Sequence, residues 1–326
     1  MFLIIWYHIF IFVFAEDNPD VILYKAIQMP MHIGVPLFVM TSGYFGIRFS
    51  FKSLLGGVIS KLYVLAVPIA IYISIKSNSG LHGIINSFMV LGQHNFWFIN
   101  TYLCLYLVAP AITTWFDTAT ARQRWVLIAG LTFFSVYIGD IHFSDPALTD
   151  GKNLLNFIYL YLIGRLLHIY QGRLTSISNW CILFAYVSLI IISVILYVNI
   201  HDPYFRMRWW SVFYPYNSPF LIFESCLVFI LFGRIKIQSN VINWFAGSVF
   251  AMYIVHGAAW GFIVRIVRYS NHIAGSAYIQ ILLSIVIVLI IMSTSILIDK
   301  AFNPVWRLSA RQGARLDKWY KASGIS

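Results

Sequence analysis

Apolar runs of membrane-spanning length recur along almost the whole chain, at roughly residues 2–15, 28–47, 54–75, 96–116, 123–140, 153–170, 180–200, 215–233, 244–264 and 276–298. A bilayer interior offers no water to satisfy backbone N–H and C=O groups, so such runs fold as helices that bond internally. Charged residues make up 10% of the sequence and hydrophobic residues 60%, with a mean hydropathy of +0.80. That is far too little polar surface to cover a soluble globule of 326 residues. The fold class expected is therefore all-α: a polytopic transmembrane bundle of about ten spans.

The links between runs are short, and their charges sort by side. With the first end in the cytoplasm, Arg48, Lys52, Lys61, Arg122, Arg124, Arg165, Arg173, Arg234, Lys236 and six residues of the tail fall inside. Lys25, Lys76, Lys152, Arg206, Arg208, Arg265 and Arg268 fall outside. The bias is about two to one among the 22 basic residues and places both termini in the cytoplasm. Glu16, Asp17, Asp20, Asp140, Asp145, Asp150 and Asp202 fall outside. The net charge of +11 is spread over loops and tail instead of one folded basic face, which argues against nucleic acid and for anionic lipid or a phosphorylated cytosolic ligand.

Residues 300–326 form the longest polar stretch, too short for a core of their own. The tail mixes Trp306, Trp319 and Tyr320 with Arg and Lys, the composition of an interfacial helix or of a solvated stop-transfer tail. The stretch "NIHDPYFRMRWWSVFYPYNS" between Asn199 and Ser218 reads as an aromatic belt at the headgroup level, or as a surface that stacks on a sugar ring. Val13 and Ala15 satisfy the small-residue rule for cleavage before Glu16, but there is no positive n-region, so the first run is read as a retained span. Cys104, Cys181 and Cys226 lie in apolar runs without metal-ligand spacing, and no metal site is expected.

An ionisable side chain inside a span is costly and therefore a candidate for function. His8, His256 and Glu224 stand out. A neutral imidazole can take a proton from a hydroxyl, although on pattern alone a histidine hydrogen-bonded within the bundle is the simpler account. His256 shares a helical face with Ser248 and has Tyr253 one turn away, as an acceptor contact or an interfacial residue would. Glu224 reads as the only carboxylate inside an apolar run and suits a polar network or a proton path. In the second run Gly34, Ser42 and Gly43 allow close helix approach, and Pro36 frees a carbonyl for a kink.

Taken in order, "IIWYHIF", "VPLFVMTSGYFGIRF", "NFWFINTYLCLYLVAPAI", "NFIYLYLIGRLL" and "SVFAMYIVH" resemble the acyltransferase 3 family, integral membrane O-acyltransferases that decorate surface glycans. The resemblance spans the chain almost end to end and divides it into a membrane acyltransferase domain, 1–299, and a basic cytoplasmic tail, 300–326. It implies a multi-pass protein of a bacterial inner membrane. It also implies acyl-CoA as donor, acetyl-CoA or succinyl-CoA, and a hydroxyl of a glycan or lipid-linked saccharide as acceptor.

His8 matches the family's first-span histidine, implicated in catalysis, whereas the arginine that precedes it in the family is missing here. The short first run and that missing charge are read as an N-terminus cut short. Where the family carries closely spaced arginines at the third span, this sequence has Lys52 and Lys61, which with Arg48 are the candidates for the CoA phosphates. Trp97 and Asn100 from the fourth span, Ser42 and Tyr44 from the second, His256 and Glu224 are the candidate acceptor-side residues. The competing function is a transporter or flippase working through Glu224, which would require an ion gradient and symmetry between halves.

Overall fold

A computed structural model describes residues 1–13, 21–93, 96–142, 146–200, 213–273 and 276–323. Glu16, Asp17, Asp20, Asp145 and Asp202, with Arg206, Arg208 and most of the aromatic loop, lie outside the described residues. Among those described, every regular element is helical. In chain order they are α1 (Phe2–Val13), α2 (Ile22–Phe45), α3 (Phe51–Lys76), α4 (Gly80–Phe88), α5 (Trp97–Thr118), α6 (Ala121–His142), α7 (Leu154–Ile169) and α8 (Asn179–Asn199). They continue as α9 (Pro219–Gly233), α10 (Asn240–Ala258), α11 (Trp260–Ile273), α12 (Ala277–Ala301) and α13 (Asn303–Ala322).

Polar punctuation sets where these helices begin. Asn153, Ser178, Ser218 and Ser276 each accept from a backbone N–H in the first turn of α7, α8, α9 and α12, and Thr120 and Gln123 form a capping box at the start of α6. Seven helices are long and apolar enough to cross a bilayer: α2, α3, α5, α6, α8, α10 and α12. The expected first, sixth and eighth spans are helices of 12, 16 and 15 residues. The expected ninth span, 244–264, is not one rod: its helix ends at Ala258, and α11 starts at Trp260.

The chain divides into two compact units, one of residues 1–15, 49–100 and 238–326, the other of residues 16–48 and 101–237. In the first, α1 packs on α11 and α12, α10 packs on α3 and α12, and α13 lies along the start of α3. Ile5 and Ile9, one turn apart on α1, meet Met252, Ile263, Val267, Val288 and Ile296 in a shared apolar core. Trp6 Nε1 donates to Ser284 Oγ at 2.9 Å, which satisfies both polar groups inside that contact.

In the second unit α2 and α7 make the closest helix pair. A Cβ on Gly43 would strike the Tyr161 carbonyl, and one on Gly164 would lie 2.7 Å from the Met40 carbonyl carbon. The two glycines thus let two backbones touch reciprocally, the small-residue contact that holds helices together where lipid removes the hydrophobic drive. Gly164→Leu forces the backbones apart, at a cost above the ~1–3 kcal/mol of ordinary overpacking. The expected result is a clear loss of folded, monodisperse protein after detergent extraction, read by size exclusion.

The part of the aromatic stretch that is described is not a headgroup belt. Phe213 and Tyr214 are buried, packed with Met29 and Tyr197, and the Tyr214 ring stands edge-on to His32 at 4.2 Å. Tyr214 donates to Gln28 at 3.3 Å, while Asn217, fully buried, bonds the carbonyls of Ser135 and Leu148. Phe213 and Tyr214 thus pack inside the second unit instead of resting on its surface.

Candidate active site

His8 lies on the second turn of α1, half-buried, with its Nδ1 2.9 Å from the Ile4 carbonyl oxygen. A carbonyl can only accept, so Nδ1 carries the hydrogen and the lone pair of the neutral ring belongs to Nε2. His256, on the last turns of α10, repeats the arrangement with Nδ1 3.1 Å from the Met252 carbonyl. Both rings are therefore oriented by their own helices, with the basic nitrogen at the same ring position, Nε2.

The fold brings these two histidines together across 248 positions of sequence: their ring centroids are 5.3 Å apart and tilted by 40°. Packing of α1 on α12, with Met252 in the same core as Ile5 and Ile9, draws α10 to this position. Trp260 stands edge-on to His8 at 5.6 Å, and Tyr253 to His256 at 5.5 Å. Phe98, in the first turn of α5, meets Tyr253 at 5.4 Å. The result is a histidine pair walled by aromatic rings, with Trp260 a member that sequence reading does not single out. Its only sequence signal is position, one turn beyond His256.

The other expected residues are placed as follows. In the first unit Trp97 opens α5 beside Phe98, and Asn100 is spent on the turn before it: Oδ1 accepts from Gly92 N at 3.1 Å and Nδ2 donates to Gln93 O at 3.4 Å. Ser248 does not reach His256. It precedes the last segment of α10 and donates to Asp299 Oδ2 at 2.8 Å.

In the second unit the Ser42 hydroxyl lies 2.9 Å from the Tyr102 hydroxyl, and the Tyr44 hydroxyl donates to Gln171 at 2.7 Å, with its ring against His168 and Phe229. Glu224 is buried on α9, and its Oε2 has no hydrogen-bond partner among the described residues. It is not the only carboxylate within the helices: Asp140 and Asp299, each at the edge of an apolar run, are buried as well.

The basic residues divide into two groups. Lys61 is buried and donates to Asp299 Oδ1 at 2.7 Å. Arg165 makes a two-pronged pair with Asp117, at 2.7 and 2.6 Å, and Arg124 donates to the carbonyls of Phe116 and Asp117 at the C-terminus of α5. These three cations already have structural work. Arg48, Lys52 and Arg122 are exposed.

The family model described as an acyltransferase domain, that of the acyltransferase 3 family, matches residues 1–299. Comparison with curated proteins and with solved structures gives no match. The match takes in both histidines and the Lys61–Asp299 pair, and stops at Asp299 in the last turn of α12, ahead of α13. The chain is an integral membrane protein and belongs to the acyltransferase 3 family.

Proposed function

We propose that the protein transfers an acyl group, acetyl in the first instance, from cytoplasmic acyl-CoA to a hydroxyl of a surface glycan or its lipid-linked precursor at a bacterial inner membrane, with His8 as general base. The observation that carries this reading is the orientation of His8: its Nδ1 hydrogen is held by the Ile4 carbonyl, which leaves Nε2 as the basic atom beside His256 and Trp260. In the reaction, Nε2 takes the proton of the acceptor hydroxyl as that oxygen attacks the thioester carbon. The tetrahedral intermediate collapses, the C–S bond breaks and the CoA sulfur leaves with a proton returned from the imidazolium. A relay in which the imidazole itself first carries the acyl group uses the same residue.

The exposed cation Lys52, in the same unit as His8, supplies positive charge for the phosphates of the donor, and Arg48 and Arg122 are the exposed candidates of the second unit. Of the acceptor-side candidates, Trp97, Asn100 and His256 belong to the same unit as His8 and are the proposed acceptor contacts, while Ser42, Tyr44 and Glu224 belong to the second unit. Among the proposed contacts, Asn100 is tied most closely to its own turn.

The test is transfer of label from acetyl-CoA, and in parallel succinyl-CoA, to surface glycan in membranes that contain the protein, with and without a protonophore. Transfer insensitive to the protonophore is expected. Rapid quench separates the two chemical routes, since only the relay leaves label on the protein. No transfer from either donor would overturn the reading. Uptake or export that stops with the gradient and with Glu224→Gln would favour transport.

A further inference from the structure

Residues 303–322 form one helix, α13, that lies beyond the family match yet is built into the first unit. Three features fasten it. Trp306 Nε1 donates to the Asp299 carbonyl at 2.9 Å. Asp317, the only acidic residue of the helix, accepts from the backbone N–H groups of Phe51 and Lys52 at 2.7 and 3.0 Å. Gly56 and Gly313 bring the backbones close, since a Cβ on Gly56 would lie 2.7 Å from Ala310 and one on Gly313 would lie 2.7 Å from Lys52.

The helix then has two further faces, both exposed. Arg307, Arg311 and Arg315 follow at intervals of four, and Lys318 and Lys321 at intervals of three, so all five cations fall on one strip. Leu308, Leu316 and Trp319 fall on a second strip next to it, with exposures of 57%, 41% and 65%. With its only acid turned inward, the basic strip carries no compensating charge of its own. A helix that shows one strip of cations beside one strip of apolar side chains matches a bilayer surface with anionic headgroups, where the apolar strip enters the acyl boundary and the cations meet the phosphates.

We infer that α13 is a docking surface for anionic lipid, an interfacial helix fastened to the domain through Trp306 and Asp317. A soluble phosphate ligand would be served by the cations alone, whereas the adjacent Leu308, Leu316 and Trp319 strip calls for a lipid surface. The inference does not depend on acyl transfer, and its test reads no activity.

The full chain, with Cys104, Cys181 and Cys226 replaced by alanine and Leu316→Cys carrying a nitroxide, is reconstituted in nanodiscs of phosphatidylcholine with or without phosphatidylglycerol. Collisions of the nitroxide with a water-soluble nickel chelate and with oxygen report its depth. Phosphatidylglycerol is expected to lower nickel collisions several-fold and raise those with oxygen. Combined Arg307→Gln, Arg311→Gln and Arg315→Gln should remove that dependence on lipid charge. Equal accessibility in the two discs would overturn the inference, as would soluble CoA shielding the label in phosphatidylcholine discs as well as phosphatidylglycerol does.

Discussion

His8→Ala should abolish measurable acyl transfer while leaving the protein folded. A positioned general base contributes about 10²–10⁴-fold, so removing it drops transfer below the detection limit of a membrane assay. Folding should survive because His8 is half-buried and bonds a carbonyl of its own helix, while the core face of α1 is held by Ile5, Ile9 and Trp6. The melting profile in detergent should therefore match wild type. His256→Ala should reduce transfer less than His8→Ala, because it removes a neighbour of the base instead of the base. Near wild-type transfer by His8→Ala would remove His8 from the mechanism. Equal losses in both variants would mean that the pair at 5.3 Å acts as one unit.

What the sequence made legible follows from how strongly each feature is dictated locally. The apolar runs are helical over most of their described residues because an apolar run in lipid has no other backbone solution. The break at Ala259 inside the expected ninth span was not visible, since "IVHGAAWGFI" stays apolar through the break and only periodicity changes. The tail divided into two readings because composition cannot say whether a charged amphipathic stretch finds a partner. The close contacts of Gly56 with Ala310 and of Gly313 with Lys52 decide for a docked helix.

The site shows the same division. His8 and His256 stood out singly as ionisable residues within apolar runs, but their contact depends on α10 and α1 both packing on α12, a tertiary fact. Asp299 went unremarked because it sits one residue past an apolar run, where a carboxylate reads as a boundary. Burial beside Lys61 makes it a structural centre instead.

That centre yields the second large effect, and it separates two roles for Lys61. The Lys61 and Asp299 side chains are 11% and 4% exposed, with the ammonium 5.7 Å from the centroid of the Trp306 ring. Asp299 also accepts from Ser248 through its second oxygen, so side chains of α3 and α10 both meet α12 at this carboxylate. Breaking a buried pair by removing one partner costs about 3–5 kcal/mol, because the survivor is left charged and desolvated. Lys61→Met and Asp299→Asn should each lower the melting temperature in detergent, by roughly 5–10 °C. Lys61→Met combined with Asp299→Leu should recover much of the loss, since neither charge is then stranded. If Lys61 instead served the donor phosphates, Lys61→Met would raise KM for acyl-CoA at unchanged stability, and the double variant would rescue nothing. The short bond to Asp299 favours the first outcome, which would leave phosphate recognition to exposed cations such as Arg48 and Lys52.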